Sequence, residues 1–566
     1  MRRQVLLDVV VLAIVALAVR LVDLDFAPDI DELDHLLAVR SLFSNGTLDI
    51  TGIPYTRARL FTYLVAGFAK LFGPSIVVAR LPSVIAGSAL VVAVYLWVRH
   101  VSSRGAGWIA ALLLCFYPMA IFMSQVVRFY MLQALLVWMG ATIVYGLCAP
   151  GGVDARVSLR VPGAARGAPS AGRPSGRRAY LRMAGAAAAF LLALHLQLLT
   201  LVALLALGVW CAAVLGPRIV RRISVHPSRA WIVTGLAVVG TLLALAMLHS
   251  GRPTGMVRFF HYSDYWAVAN RHNLRFYDWA LTTDYATVWS LFPVVVLLAA
   301  SARPRVAGFC ATVFVVGFLF HSFAAWKAMR YFLWVMPFFF ALSGIATMEA
   351  VSLLRPRLMA LLERAPAWLH LRRWAGVLAT AFVGVTLVFF VLVNGAFSTT
   401  YHMLAPASGD PSNPKPFRGK SDWAAASARL HVLSDSSAVL VSSSDLKPLY
   451  YLHRLDFILQ RDHLYSMAGW APEFTLYRSV KRPVVSTPQS LQRIVSCYPS
   501  GLVIAEDGQW RQPWGVPVAA TEYLTSHLRQ IPLPSQWHLK AFRWSTGTAS
   551  HTPGCSELAA VAAGQQ

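Results

Sequence analysis

The stretch that decides the fold lies at the N-terminus, where the apolar run VLLDVVVLAIVALAVRLV (residues 5–22) is followed by the acidic run DLDFAPDIDELD (residues 23–34). The apolar run is about as long as a helix that crosses a bilayer. The acidic run holds six of the 25 acidic residues of the chain. A carboxylate cluster directly after a membrane span, in a chain otherwise poor in acid, is a candidate site for chemistry.

The composition predicts a polytopic membrane protein. Of the 566 residues, 57% are hydrophobic and only 13% are charged, whereas a soluble domain carries about a quarter charged residues. The net charge of +25 comes from 50 basic and 25 acidic residues. The basic residues lie in short stretches between apolar runs, where retention on the cytoplasmic side and contact with anionic lipid account for them. We therefore predict membrane lipids as partners and no nucleic acid.

Hydropathy predicts about eleven transmembrane helices, an odd number that puts the two termini on opposite sides. These are 5–22, 80–98, 107–123, 130–148, 181–197, 199–215, 230–249, 287–302, 306–321, 331–349 and 375–394. The run 181–215 is divided in two, with a turn near His195–Thr200, because a single span there would put an arginine cluster outside. With the N-terminus inside, the arginine-rich segments 149–182, 216–229 and 350–374 all fall inside.

This topology predicts a cell inner (plasma) membrane protein with a cytoplasmic N-terminus and a retained first span. Residues 1–394 form the transmembrane domain, and 395–566 form an extracytoplasmic domain. The Gly-, Pro- and Arg-rich segment 149–180 is expected to be a disordered cytoplasmic loop. The outer loop 23–79 is expected to hold two interfacial helices, Asp31–Ser44 and Phe61–Phe72.

The C-terminal region shows the alternation of strands and helices that is typical of an α/β domain. The predicted strands are Val439–Ser442, Val484–Ser486 and Leu502–Ala505, and the predicted helices are Asp445–His453 and Pro488–Cys497. Cys497 and Cys555 either pair or remain free thiols, and the sequence leaves both alternatives open.

Two carboxylates stand out as candidate catalytic groups. Asp31 and Glu32 open the first interfacial helix, and a carboxylate held at the bilayer edge can act as a general base on a hydroxyl. For Asp23, Asp25 and Asp34 we favour a solvated loop without a catalytic role. Tyr130, His195, Gln197 and His261 are candidate substrate-binding residues. A helix–helix hydrogen bond is the alternative explanation for the two polar residues 195 and 197 in their apolar run.

Several cationic residues lie at the outer ends of spans, against the inside bias of the chain. These are Arg57, Arg59, Arg80, Arg128, Lys327 and Arg330. Snorkelling of single side chains to the interface is the ordinary explanation. Brought together by the packing of a bundle, they would instead form a site for an anion, and arginine donors match phosphate oxygens. At the bilayer edge, that anion would most simply be a lipid phosphate.

At these positions the chain resembles the GT-C superfamily of membrane glycosyltransferases, in the branch of aminoarabinose transferases and protein O-mannosyltransferases. The resemblance covers nearly the whole chain. It rests on Asp31-Glu32, Arg80-Leu81-Pro82, Arg128-Phe129-Tyr130, His195, and Lys327 with Arg330-Tyr331 and Pro337, together with Asp422–Ala426 and Leu449–Leu452 in the tail.

The resemblance implies inverting transfer of a sugar from a polyprenyl-phosphate donor to a hydroxyl. Asp31 would deprotonate the acceptor, and Glu32 would orient the acceptor or the base. The donor phosphate would be held by Arg57, Arg59, Arg80, Arg128, Lys327, Arg330 and Tyr331. The family's Lys-Pro-Pro-Leu stands here as Arg57-Ala58-Arg59-Leu60, which leaves open which arginine takes the place of the lysine.

Some relatives carry a further acidic residue in the loop that here reads Arg128-Phe129-Tyr130, so a divalent cation, Mg²⁺ or Mn²⁺, stays an open alternative to no cofactor. The acceptor is a lipid, a polysaccharide or a protein, and the sequence names neither it nor the sugar. Two other functions are considered. A flippase of a lipid-linked sugar would show paired half-repeats and broken helices at mid-membrane, and a non-catalytic envelope-assembly subunit would act through its α/β tail.

Overall fold

The computed structural model describes residues 2–148, 176–225, 273–363 apart from 326, 376–378, 381, 394–405 and 415–546, with Cys555 and Leu558 beyond them. The last long range has short gaps at 418, 420, 462–465, 469–473, 478–479 and 513–514.

The N-terminal part is built from helices. They are α1 (Arg2–Leu21), α2 (Ile30–Asn45), α3 (Arg59–Phe72), α4 (Ile76–Val101), α5 (Arg104–Cys115), α6 (Pro118–Ser124), α7 (Tyr130–Cys148), α8 (Gly176–Leu196), α9 (Thr200–Val225), α10 (Phe276–Ser290), α11 (Phe292–Ala302), α12 (Pro304–Phe323), α13 (Met329–Phe332), α14 (Met336–Glu363) and α15 (Gly395–Leu404). A two-stranded ribbon of β1 (Asp49–Ile50) and β2 (Ile53–Pro54) links α2 to α3.

Within the described ranges, six helices are long and apolar enough to cross a membrane, or eight if each of two bent helix pairs counts as one span. The chain is therefore a multi-pass membrane protein, as the composition predicted. The turn predicted near residues 195–200 is confirmed, because α8 ends at Leu196 and α9 begins at Thr200. Both helices predicted within 23–79 are also present, as α2 and α3.

Several predicted boundaries need correction. The span 107–123 is the pair α5 and α6, bent by 63°, because the proline that opens α6 disfavours helix in the residue before it. The pair α10 and α11, bent by 50°, extends helix into 276–286, which the sequence analysis placed in an outer loop. The predicted span 331–349 begins later, at Met336. The predicted disordered loop 149–180 ends in helix, since α8 starts at Gly176.

Two of the eleven predicted spans, 230–249 and most of 375–394, and residues 149–175 of the predicted loop lie outside the described residues. Within the described bundle, small residues let helices approach closely. A Cβ atom on Gly344 would come within 2.5 Å of the Ala106 carbonyl oxygen, so the backbones of α14 and α5 nearly touch there.

One acidic side chain is buried inside the first span. Asp8 accepts hydrogen bonds from Tyr95 and from the Arg104 guanidinium, whose Nη2 lies 2.7 Å from Asp8 Oδ1. A buried charge is tolerated only when it is paired and hydrogen-bonded. The three residues therefore tie α1, α4 and α5 together at one end of the bundle.

The C-terminal part is an α/β domain. Its helices are α16 (Trp423–Asp435), α17 (Lys447–Tyr451), α18 (Pro488–Cys497) and α19 (Val518–His527). Its eight-stranded sheet has the order β5-β6-β7-β4-β3-β8-β10-β9. The strands are β3 (Val439–Ser442), β4 (Phe457–Leu459), β5 (Ser466–Ala468), β6 (Thr475–Tyr477), β7 (Arg482–Val485), β8 (Ser500–Glu506), β9 (Arg529–Ile531) and β10 (Leu539–Ser545).

The three predicted strands are confirmed within a residue or two, and they belong to the parallel centre of the sheet, β7-β4-β3-β8. The helix predicted at 488–497 is confirmed as α18, whereas the helix predicted at 445–453 is the shorter α17. The structure also settles the open cysteine question, since Cys497 and Cys555 form a disulfide.

The α/β domain packs directly on the segment between α1 and α3. One apolar cluster joins residues of α2 and the ribbon, among them Leu33, Leu37 and Ile50, to Leu449 and Ile458 of the domain. The same contact is strengthened by polar groups, because the Arg40 guanidinium donates to the carbonyl oxygens of residues 449 and 450 at the end of α17. Helix α2 is therefore held between the membrane bundle and the C-terminal domain.

Candidate active site

The first turn of α2 is fixed by a reciprocal cap. The Asp29 carbonyl oxygen accepts from the backbone N–H groups of Glu32 and Leu33, at 2.9 and 3.2 Å, and the Glu32 carboxylate accepts from the Asp29 N–H at 3.3 Å. This arrangement follows the logic of a capping box. It holds Asp31 in the first turn of the helix and so fixes the direction of its side chain.

Glu32 and Arg80 form a buried ion pair. Arg80 Nε and Nη2 donate to the two Glu32 carboxylate oxygens at 2.9 and 2.6 Å, and Nη1 donates to the carbonyl oxygens of Leu24 and Phe26. Glu32 also accepts from the backbone N–H of Val127 at 2.8 Å. The two side chains are 2% and 0% exposed. The resemblance implied that Glu32 orients the acceptor or the base and that Arg80 holds the donor phosphate. In the structure the two side chains bond each other and fix α2 to α4 and to the segment before α7.

The segment between α6 and α7 is anchored by the residue after the Arg80-Leu81-Pro82 motif. Ser83 Oγ donates to the Arg128 carbonyl oxygen at 2.9 Å. The side chain of Gln125 donates to the Val22 carbonyl oxygen at 2.8 Å, at the end of the first span. These bonds fix the backbone of Arg128, whose side chain is 1% exposed. The start of α4 therefore helps to fix the position of Arg128 through Ser83.

Asp31 is the meeting point of two arginines. Arg128 Nη2 lies 3.2 Å from Asp31 Oδ1, and Arg330 Nη1 lies 3.2 Å from Asp31 Oδ2. Arg128 Nη1 also donates to the Asp31 carbonyl oxygen at 2.7 Å. Burial by itself would raise the pKa of Asp31, but the positive charges of Arg128, Arg330 and Arg57 outweigh it and lower the pKa to about 2. The carboxylate is thus ionised at any physiological pH, with 42% of its side-chain surface exposed.

The short helix α13, which precedes α14, carries the second arginine, and the segment that leads into it is held in place. The Tyr277 hydroxyl lies 3.1 Å from both the N–H and the carbonyl oxygen of Ala328. Lys327 Nζ donates to the Ala324 carbonyl oxygen, and the side chain is buried. The ring of Tyr331 is 6.1 Å from the ring of Tyr130. The structure therefore brings Arg330 and Tyr331 to the site together with Tyr130.

Two arginines at the start of α3, Arg57 and Arg59, occupy different positions. The guanidinium carbon of Arg57 lies 5.9 Å from the ring centre of Phe129, next to Arg128, and its charge acts on Asp31. Arg59 Nε donates to the Tyr55 carbonyl oxygen at 3.3 Å, at the start of α3. Both side chains are exposed. Of the two candidates for the place of the family's lysine, Arg57 is thus the one whose charge reaches Asp31.

Some donors at the site remain unused. Among the described residues, Arg128 Nε and the Tyr130 hydroxyl are buried without a hydrogen-bond partner. Buried polar groups in proteins nearly always have partners. Arg330 Nε is a third such donor. These unpaired donors, two of them within the guanidinium groups of Arg128 and Arg330, are therefore suited to an anionic ligand.

Helix α2 presents two further titratable groups that the sequence analysis did not assign to the site. His35 is buried, lies 2.9 Å from the Thr62 hydroxyl, and has a pKa well below its usual value because of burial and the nearby Arg128 and Arg57. Burial also raises the pKa of Asp34 to about 6. The solvated loop expected for Asp34 is wrong, since this residue lies within a helix and is partly buried.

Helical periodicity is the signal that could have found both groups. Residues three and four positions apart share one face of a helix, so residues 34 and 35 had to lie beside residue 31 once the helix was predicted.

The remaining substrate-binding candidates lie elsewhere. His195 is exposed near the end of α8, and Gln197 lies in the turn before α9. No hydrogen bond or ion pair joins either side chain to Asp31 in the part of the chain that the structure describes. His261 lies outside the described residues. The described residues also contain no group of three or more His, Cys, Asp or Glu side chains that could hold a metal ion.

The fold is shared with solved structures. The chain resembles ArnT from Cupriavidus metallidurans in its apo state, with a TM-score of 0.55 and 14% identity over 96% of this chain and 99% of that one. ArnT bound to undecaprenyl phosphate gives a TM-score of 0.54 at the same identity and coverage. The archaeal oligosaccharyltransferase AglB from Archaeoglobus fulgidus is more distant, with a TM-score of 0.47 and 12% identity over 90% of this chain and 70% of that one.

No family model and no curated protein sequence matches the chain. The fold that these structures share with the chain is a polytopic helical membrane bundle followed by an α/β domain. ArnT, an aminoarabinose transferase, is the particular structure to which the likeness extends over nearly the full length of both chains. At 14% identity, this likeness concerns the fold.

Proposed function

We propose that the chain is an inverting glycosyltransferase that moves a sugar from a polyprenyl-phosphate donor to a hydroxyl group of a cell-envelope acceptor. The observation that carries the proposal is the pairing of both Arg128 and Arg330 with Asp31, in a helical bundle whose fold resembles that of ArnT. In support, the related fold of ArnT has been solved with undecaprenyl phosphate.

The donor phosphate would bind to the guanidinium groups that now face Asp31. Arg128 and Arg330 offer forked N–H donors, and Arg57 adds a third positive charge next to them. Charge-assisted hydrogen bonds from arginine to phosphate are among the strongest that proteins make. Their catalytic value is largest where charge develops, which here is the leaving phosphate.

A carboxylate of α2 would take the proton of the acceptor hydroxyl. Asp31 is the candidate that the sequence provides, while Glu32 and Arg80 would set the direction of the helix. The sugar is a hexose or a pentose, and the acceptor is a lipid, a polysaccharide or a protein.

The orientation and division of the chain belong to the same proposal. The disulfide between Cys497 and Cys555 supports an oxidising, extracytoplasmic location of the C-terminal domain. The inside bias of the arginine-rich segments supports a cytoplasmic N-terminus in the inner membrane. The transmembrane domain would then comprise 1–394, and the α/β domain 395–566.

The test uses the full-length protein in lipid nanodiscs. The protein is incubated with a panel of undecaprenyl-phosphate-linked hexoses and pentoses and with envelope extract from a strain that lacks its gene. Release of undecaprenyl phosphate is followed by mass spectrometry. We expect release with one donor. Arg128→Gln and Arg330→Gln should each lower the rate by a factor of about 10²–10³, the usual cost of losing a donor to a developing charge.

Arg275→Gln is the matched control, because this arginine is 87% exposed and pairs with Asp278. Equal activity of the wild type and both site variants would refute the assignment of the phosphate site. Movement of labelled lipid across vesicles, without a new glycosidic bond, would favour a flippase instead.

A further inference from the structure

The carboxylates of Asp31 and Asp34 lie on one face of α2 but have different polar neighbours. Asp31 faces two guanidinium groups at 3.2 Å. Asp34, one turn further on, makes no hydrogen bond or ion pair with the described residues. Side chains three positions apart on a helix have Cβ atoms about 5–6 Å from each other, so both carboxylates border the same space.

We propose that Asp34, and not Asp31, accepts the proton of the acceptor hydroxyl, while Asp31 serves as the anchor that orients Arg128 and Arg330. This inference rests on the proposed glycosyl transfer. A carboxylate that is shared between two guanidinium groups has its lone pairs engaged and is a weak base. A carboxylate without such partners keeps its lone pairs available for a hydroxyl group.

The groups that face Asp34 come from three other parts of the chain. Arg128 belongs to the segment before α7, Arg57 and Tyr55 belong to the segment before α3, and Asp445 comes from the C-terminal domain. Asp31 faces it from its own helix. The negative charges of Asp445 and Asp31, together with burial, oppose the positive charges and hold the pKa of Asp34 near 6. A general base works best when its pKa lies near the operating pH.

In the glycosyl transfer, one bond to the anomeric carbon forms and one breaks. The acceptor hydroxyl gives its proton to the Asp34 carboxylate, and its oxygen forms a bond to the anomeric carbon of the sugar. The bond between the anomeric carbon and the phosphate oxygen breaks at the same time. Its electron pair leaves with the polyprenyl phosphate, whose charge is taken up by Arg128 and Arg330.

The experiment compares Asp34→Asn with the wild type in the undecaprenyl phosphate release assay between pH 4.5 and 8. We expect the wild-type kcat to fall below about pH 6 with a slope of one proton. Asp34→Asn should lower kcat by a factor of about 10²–10⁴ and should abolish this acid limb, with affinity for undecaprenyl phosphate changed by less than about threefold. Asp34→Glu, which keeps the carboxylate, should restore part of kcat.

Asp25→Asn is the matched control, because Asp25 is exposed and precedes α2. A wild-type profile that stays flat to pH 4.5 would overturn the inference, since Asp31 has a pKa of about 2. Full kcat in Asp34→Asn would overturn it as well. If the wild type itself neither binds undecaprenyl phosphate nor releases it from any donor, the proposed function fails, and that result is distinct from either of these.

Discussion

Replacing Arg80 by methionine should destabilise the protein strongly without acting on the donor site. Arg80 makes two hydrogen bonds to Glu32 and two to the carbonyl oxygens of residues 24 and 26. In Arg80→Met, the buried Glu32 carboxylate keeps only the backbone N–H groups of Val127 and Asp29. Removal of one partner from a buried ion pair costs about 3–5 kcal/mol.

The assay is thermal unfolding of the detergent-purified protein, followed by tryptophan fluorescence, together with a binding titration of undecaprenyl phosphate. Glu32→Gln keeps the side-chain volume and one acceptor oxygen, so this variant should lose less stability than Arg80→Met. The double variant Arg80→Met/Glu32→Gln should be less destabilised than the sum of the two single losses, since residues in contact couple by about 0.5–3 kcal/mol.

The exposed Arg275→Met serves as the control for loss of a positive charge. The structural role of Arg80 would be contradicted if Arg80→Met melted at the wild-type temperature and bound undecaprenyl phosphate more than about tenfold more weakly. Arg80 would then be a ligand of the donor, as the sequence analysis assumed, and not a strut beneath α2.

Three further outcomes follow from the contacts. Arg40→Ala removes bonds to the end of α17 and should cost about 1–2 kcal/mol, seen as faster hydrogen exchange in α2; unchanged exchange would contradict the docking role. Cys497→Ser should destabilise the C-terminal domain by about 2–5 kcal/mol, measured as a lower melting temperature without reductant, and an equal melting temperature would count against it. Asp34→Asn should stabilise the fold more at pH 7.5 than at pH 4.5, because the folded pKa of Asp34, about 6, exceeds the unfolded value, so the cost of the carboxylate to folding grows as the pH rises from the unfolded pKa to the folded one. The shift corresponds to at most about 3 kcal/mol, reduced by solvent screening, and a pH-independent difference would contradict the sign.

The convergence of Asp31, Arg128 and Arg330 could be predicted from the sequence, because hydropathy and the positive-inside rule place all three at the outer ends of spans. The topology does not say which cation faces which carboxylate. Arg80 and Glu32 look like ligands from their motifs, but their mutual contact depends on where α4 crosses the first turn of α2. This pairing is set by tertiary packing and lies beyond local sequence.

The bends of the helices could not be predicted from the sequence either. Hydropathy measures the length of an apolar run and not its direction, so the break before Pro118 left the predicted span 107–123 intact. The short strands of the α/β domain were easier, because β3, β7 and β8 are continuous apolar runs bounded by polar residues. The contact of that domain with α2 had no local signal, since it joins residues about four hundred positions apart.

The measurement that tests the central claim most directly is a cryo-EM structure of the full-length protein in nanodiscs with undecaprenyl phosphate. The account predicts the phosphate within hydrogen-bond distance, about 3 Å, of the guanidinium groups of Arg128 and Arg330, on the side of Asp31. A phosphate bound elsewhere on the outer surface, with both arginines still facing Asp31 as they do here, would contradict it.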